Sequence, residues 1–245
     1  MFVPIASGHI GFAGWYFIGL LVYLIYATFR SRKRIATMPK LPSRTRHFTT
    51  TLIVLGLIYV LTLLVARVDR ITLYPRVMPT PLQIGVGLAL AMVLAAGMRP
   101  LWRQSVAKGD RRLSLFSPQG GREKTLWIAV SLMAGIGEET AYRGVLYVLL
   151  LTLTQSPWAA AGLSALIFAG NHAVQSNRSM VIIFIFSLMF QALALWSGAL
   201  YVGMLTHFIY DVIAGFTYSK LVREMGVHPE GTSQAAAGAP EPAGG

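Results

Sequence analysis

Cysteine is absent from all 245 residues. That excludes disulfide staples, thiolate nucleophiles and Cys-ligated metal centres. Charge is also scarce: only 12% of residues are Asp, Glu, Lys or Arg, roughly half the share of an ordinary soluble domain. Several protease motifs are missing. There is no His-Glu-x-x-His helix for a zinc protease and no Gly-x-Ser-Gly nucleophile. A paired-aspartate mechanism needs two aspartates inside apolar runs, and only Asp211 qualifies. No internal repeat is visible, which counts against the inverted-repeat plan of many transporters.

What fills the chain instead is apolar. Hydrophobic residues make up 55% of it. The runs reach or approach the roughly 17 to 25 residues that cross a bilayer as helix. They fall at about 11–29, 50–66, 82–98, 126–152, 157–173, 179–196 and 199–218. The expected fold class is therefore all-α: a polytopic transmembrane helix bundle of about seven spans, with a polar cavity within the membrane. The first run has no basic flank ahead of it and no small-residue cleavage site behind it, so it reads as a retained span. Tyr74 to Pro81 is turn-rich. The third run is rich in Gly and Ala, which suits close helix packing. The expected organisation is N-terminal spans with basic cytoplasmic loops over 1–125, a helical core over 126–218, and a disordered cytoplasmic tail over 219–245.

The formal net charge is +12. Its placement argues against nucleic acid as a partner, because the cations flank apolar runs, where they set orientation and meet lipid headgroups. The loops at 30–47 and 99–125, with Arg178, Lys220 and Arg223, hold about 17 Lys and Arg on one side. Arg67, Arg70 and Arg76 supply about 3 on the other. The expected topology is N-terminus outside and C-terminus cytoplasmic, in an integral multi-pass membrane protein.

The fourth run carries three charges in Gly137-Glu138-Glu139-Thr140-Ala141-Tyr142-Arg143. Each costs roughly 2.5 to 3.5 kcal/mol to insert in the bilayer. Glu139 and Arg143 are i and i+4, so they can pair along one helix face. Glu138 has no such local partner and is the carboxyl suited to general-base and then general-acid work. The fifth run ends in Phe168-Ala169-Gly170-Asn171-His172, and the seventh holds His207 and Asp211 at i and i+4. Two Glu, two His and an Asp on three apolar helices are hard to treat as packing. Tyr142 and Asn171 adjoin these motifs and either hydrogen-bond in the site or pack. His9, His47 and His228 read as surface residues outside the site.

The ordered pattern Glu-Glu-x-x-x-Arg, Phe-x-x-x-His and His-x-x-x-Asn/Asp resembles the CPBP family of intramembrane endopeptidases. That family includes CAAX prenyl proteases of the Rce type and bacteriocin-processing or Abi proteins. The resemblance covers about 126–218. It implies a water-activating glutamate, Glu138, assisted by His172, with His207 and Asp211 at the oxyanion. Asp211 departs from members with Asn, since an ionised carboxylate cannot donate a hydrogen bond. Its expected role is to orient His207 or hold it protonated. Glu139, Arg143 and Phe168 would organise the site. No metal or other cofactor is expected, although Glu138, His172 and His207 leave a zinc-dependent version open. The partners implied are a membrane-associated protein or peptide substrate and the lipid bilayer. The alternative is a non-proteolytic transporter, immunity factor or scaffold that uses the same cavity.

The cation count generates a direct test. The native chain contains no cysteine, so a single Cys placed at Gly245 reports that site alone. It should resist an impermeant thiol reagent in intact cells and react once the membrane is opened. Labelling from outside would reverse the topology.

Overall fold

The computed structural model describes residues 2–75 and 78–226. His228 and the tail from 227 onward, like Arg76, lie outside the described residues. The elements in order are α1 (Phe12–Thr37), α2 (Arg44–Val68), α3 (Pro81–Ala107) and a 3-10 turn (Arg111–Phe116). There follow α4 (Gly121–Glu138), a π-helical stretch (Glu139–Leu146), α5 (Tyr147–Thr154), α6 (Pro157–Gly170), α7 (Asn177–Ser197) and α8 (Tyr201–Glu224). No strand occurs among the described residues. α4, the π stretch and α5 form one unbroken rod, so helical rods stand in the places of the expected spans. Four of them (α1, α2, α3 and α7) are long and apolar enough to cross a membrane. The rods that fall short are the ones that carry the motif residues or, like α6, are brief.

Local chemistry sets the ends. Ser43, Thr80, Ser156 and Ser176 each accept a backbone N–H at a helix start, and Thr80 forms a full capping box with Gln83. Pro81 and Pro157 occupy first-turn positions where no N–H is needed. Gly198, at φ 70, closes α7 and lets α8 begin almost at once.

Two sequence expectations need correction. First, many cations assigned to loops lie on helices: α1 continues through Arg34, α3 through Arg99 and Arg103, and α4 begins before Arg122. Hydropathy marks where the hydrocarbon ends, not where the helix ends. Lys and Arg are good helix formers whose stems lie along apolar surface while the charge reaches out. Second, the tail does not start at 219. α8 runs on through Glu224, and Ser219, Leu221 and Val222 are buried. Leu221 and Val222 pack with Trp102 and Val106 of α3 in an apolar cluster.

Small residues decide how closely the rods approach. α8 lies against both α3 and α4. A Cβ added at Gly87 would come within 2.6 Å of Thr206 Oγ1 and 2.7 Å of Val202. One added at Gly135 would come within 2.7 Å of the Met204 carbonyl oxygen. With lipid outside, such backbone approach replaces the hydrophobic drive of a soluble core. The outer surfaces of α1, α2 and α3 leave Trp15, Leu57, Leu64, Leu82 and Val93 exposed.

The basic helix ends meet on one face. Arg32 donates to Asn177 at 2.6 Å and Arg44 to Glu123 at 2.9 Å. Arg111 donates to the carbonyls of Met38 and Pro39, and Arg112 to that of Val174. These bonds fasten the 3-10 turn to the α1–α2 and α6–α7 connections. Arg112 is also held by both oxygens of Asp110, which raises its pKa further.

The Gly135 contact is with backbone, which cannot rotate away. Gly135→Leu should therefore force α4 from α8 and cost at least the roughly 1 to 3 kcal/mol of ordinary overpacking. Gly85→Leu on α3, where nothing lies within 4 Å of an added Cβ, should be neutral. Thermal unfolding of both variants in detergent checks this; equal midpoints would contradict the packing.

Candidate active site

The site begins with a change of helix type. From Glu139 to Leu146 the rod widens to a π-helix, in which each N–H bonds five residues back. All eight residues of this stretch are buried. The Thr140 hydroxyl donates to the Ile136 carbonyl at 2.6 Å and is 2.9 Å from the Tyr74 hydroxyl, tying the wide turn to the α2–α3 connection.

At its centre Glu139 is fully buried and Arg143 is 1% exposed, with Arg143 Nη1 3.3 Å from Glu139 Oε1. The expected i, i+4 pair is present. The Arg143 guanidinium lies 4.2 Å from the centroid of the Phe168 ring and 5.6 Å from that of Phe190. Such cation–π contacts gain strength in a desolvated site. His207 Nδ1 donates to the same Glu139 oxygen at 2.9 Å. Glu139 Oε2 has no hydrogen-bond partner among the described residues, and a Cβ at Gly203 would stand 3.1 Å from it. Gly203 thus leaves room for this carboxylate.

The bond at Nδ1 directs the other nitrogen of His207. Nε2 lies 3.7 Å from Glu138 Oε2 and 3.6 Å from Asp211 Oδ2. His207 therefore sits among three carboxylates. The sequence spacing suggested Asp211 as its orienting partner; Nδ1 donates instead to Glu139, with α5, α6 and α7 between them in sequence. Asp211 is fixed through its own backbone, because Trp127 Nε1 donates to its carbonyl at 3.0 Å.

Glu138, Phe168, His172, His207 and Asp211 all line a cavity of about 250 Å³. Glu138 is 17% and Asp211 26% exposed at the side chain. His172 stands in the turn just after α6, not in the helix. Its Nδ1 donates to the Phe168 carbonyl at 2.8 Å. The carbonyl can only accept, so in the neutral ring Nε2 keeps its lone pair. Phe168 packs between Tyr142, at 4.8 Å, and His172, at 4.5 Å. Tyr142 and Asn171 do not line the cavity. Asn171 Nδ2 donates to the Tyr142 hydroxyl at 2.8 Å and to the Leu21 carbonyl at 3.2 Å, which joins the π stretch, α6 and α1.

The cavity continues past Trp127 to His47, Asp110, Arg112 and Gln175 at the basic end. His47 is thus half-buried in the cavity wall, edge-on to Phe116, and not a surface residue apart from the site. His9 is exposed, as expected. Trp127, Phe190, Gly203 and His47 have no mark in the sequence, since their roles come from contacts between distant elements. Among the described residues no three Asp, Glu or His side chains are grouped closely enough to hold a metal ion. Glu138, His172 and His207 are not such a group.

Residues 122–213 match the model of a protein family described as type II CAAX prenyl endopeptidase, Rce1-like. The matched segment contains each of the motif residues from Glu138 to Asp211. No curated protein and no solved structure matches the chain.

The ion pair generates a stability prediction. Arg143→Ala would strip Glu139 of its buried cation and remove the guanidinium from Phe168. Breaking a buried pair costs about 3 to 5 kcal/mol. The purified variant should unfold at a markedly lower temperature, and Arg143→Lys should rescue only in part, because an ammonium lacks the planar face that stacks on Phe168. Wild-type melting of Arg143→Ala would contradict the arrangement.

Proposed function

We propose that this chain, which belongs through residues 122–213 to the CPBP family of CAAX-type membrane proteases, cleaves peptide bonds of membrane-associated substrates with water activated by Glu138. The observation that carries the proposal is the convergence of Glu138, His172, His207 and Asp211, from three separate stretches of chain, on one cavity inside an apolar helical bundle. Membrane-buried titratable groups are costly and mark function by default.

In this reading a water lies between Glu138 and His172. Nε2 of His172 accepts one of its hydrogens and Glu138 takes the proton as oxygen attacks the scissile carbonyl carbon. General-base assistance of this kind contributes roughly 10² to 10⁴ in rate. The carbonyl oxygen becomes an oxyanion, and His207 Nε2–H donates to it. Glu139 holds the ring in place at Nδ1, so the donor is oriented before charge develops, which is what makes such a group effective. Glu138 then passes its proton to the departing amine and the C–N bond breaks. Asp211 supports the protonated ring from the Nε2 side. Arg143 and Phe168 hold Glu139 and the floor of the cavity.

The division of the chain follows from the same proposal. Residues 126–218 supply the catalytic groups, and 1–125 supply α2 and α3, which help wall them in, with α1 packed against α2 and α6. The cavity reaches His47, Asp110 and Arg112 at the basic helix ends. On the cation asymmetry these face the cytoplasm, which places the N-terminus outside and makes cytoplasmic juxtamembrane segments the accessible substrates.

Glu138→Gln retains shape and removes the base. Cleavage of a membrane substrate by the purified variant should fall by about 10² to 10⁴, with the melting temperature near wild type, because Glu138 is not part of the buried pair. His172→Ala should fall comparably. Undiminished turnover in Glu138→Gln would overturn the assignment.

A further inference from the structure

A second depression lies outside the catalytic cavity, on the lipid side of the same wall. α3 contributes Ala96, Arg99, Pro100 and Arg103, spaced i, i+3, i+4 and i+7 on one face; α8 contributes Leu221 and Glu224, and Met225 caps it. The cleft holds about 460 Å³. It sits at the basic end of the bundle, at headgroup level for a chain embedded by its apolar spans.

We propose that this cleft binds an anionic phospholipid whose headgroup carries hydroxyls, as in phosphatidylglycerol. Three features point to that chemistry. First, Arg99 and Arg103 are exposed and pair with no carboxylate among the described residues, whereas Glu224 is engaged by Lys220 at 3.7 Å. Two guanidiniums one turn apart form a fork for phosphate oxygens. Second, Pro100 has no N–H, so the Ala96 carbonyl has no partner four residues on. With the Glu224 carboxylate it gives the cleft acceptors beside the cations. A headgroup hydroxyl can donate to these; a choline cannot, and its fixed positive charge would face the arginines. Third, one turn deeper on the α3 face, Met92 and Val93 are 58% and 66% exposed. They continue the apolar floor of Ala96 and Leu221 into the hydrocarbon, as an acyl chain requires.

The position carries a consequence. On its other face, at Trp102, α3 packs on Tyr210 and Tyr218 of α8, with ring centroids 6.1 and 5.5 Å apart, and these three rings line the catalytic cavity. A lipid bridging α3 and α8 from outside clamps that wall, so stability of the cytoplasmic half of the bundle follows lipid charge.

The test uses the full chain purified in detergent, with binding of dioleoyl-phosphatidylglycerol measured by native mass spectrometry and by the shift in melting temperature. Phosphatidylglycerol should bind and raise the midpoint, while phosphatidylcholine, inorganic phosphate and glycerol phosphate should not. Each surface cation is worth roughly 5-fold in attraction to anionic lipid, so Arg99→Gln/Arg103→Gln should weaken binding by about 25-fold. Arg122→Gln/Lys124→Gln, which removes equal charge from the same basic end, should leave it within about 2-fold. Ala96→Phe fills the cleft at constant charge and should also abolish the shift. Equal loss in both charge variants, an undisturbed shift in Ala96→Phe, or an equal shift from phosphate alone would each overturn the proposal.

Discussion

One carboxylate organises the interior. Glu139 is fully buried, and a single oxygen of it serves both Arg143 on its own rod and His207 on α8. An unpaired charge at that depth would be costly to insert. A guanidinium and an imidazole N–H from two elements make the charge tolerable only when α4 and α8 stand at one separation and one rotation. The pair is thus less a source of stability than a specification of geometry, because it penalises every packing that separates its members. The π stretch, the stacking of Arg143 on Phe168 and the room left at Gly203 all serve this contact.

The glycines extend the same constraint along α8. Gly87 and Gly135 let α3 and α4 reach its backbone, and a side chain at either would meet atoms of α8 well inside van der Waals distance. Helices held this closely fix the angle at which His207 enters the cavity. The basic ends add polar ties: Arg111 and Arg112 each donate to carbonyls left open at connections, which cannot find partners within their own helices.

The sequence was most legible where one helix is enough. Seven apolar stretches, the Glu139–Arg143 spacing and the three ordered motifs all depend on local periodicity, and all seven stretches correspond to rods. It was least legible where distant elements meet. His207 and Asp211 share a face one turn apart, which made Asp211 the natural partner, yet the hydrogen bond is with Glu139. Helical spacing says which side chains are neighbours on one rod and nothing about what an opposing rod inserts between them. His47 escaped for the same reason: it precedes an apolar run and looks superficial until Phe116 and the 3-10 turn fold over it. The helix ends were missed differently. Arg99, Arg103 and Arg122 end an apolar run without ending a helix.

Glu138 and Glu139 are adjacent, identical in chemistry, and placed in opposite environments. One is 17% exposed in a cavity, with the His207 ring 3.7 Å away; the other is wholly enclosed between Arg143 and that ring. Successive residues on an α-helix differ by about 100° in direction, so neighbours on a rod at a cavity edge can face cavity and packing respectively. The π turn begins at the second of them. It adds backbone width where Arg143 has to reach both Glu139 and the face of Phe168, and it ends at Leu146 so that α5 resumes ordinary packing. Such wide turns are rare because they forgo the better α-helical ladder, and they cluster where function requires the offset. On the proposed mechanism the offset separates two tasks that one carboxylate cannot perform together. A base must be free to gain and lose a proton beside water. A positioning group must keep its charge and its partners throughout. Placing the tasks on consecutive residues ties them to a single rigid rod, so the residue that would move the proton and the residue that orients its histidine cannot drift apart.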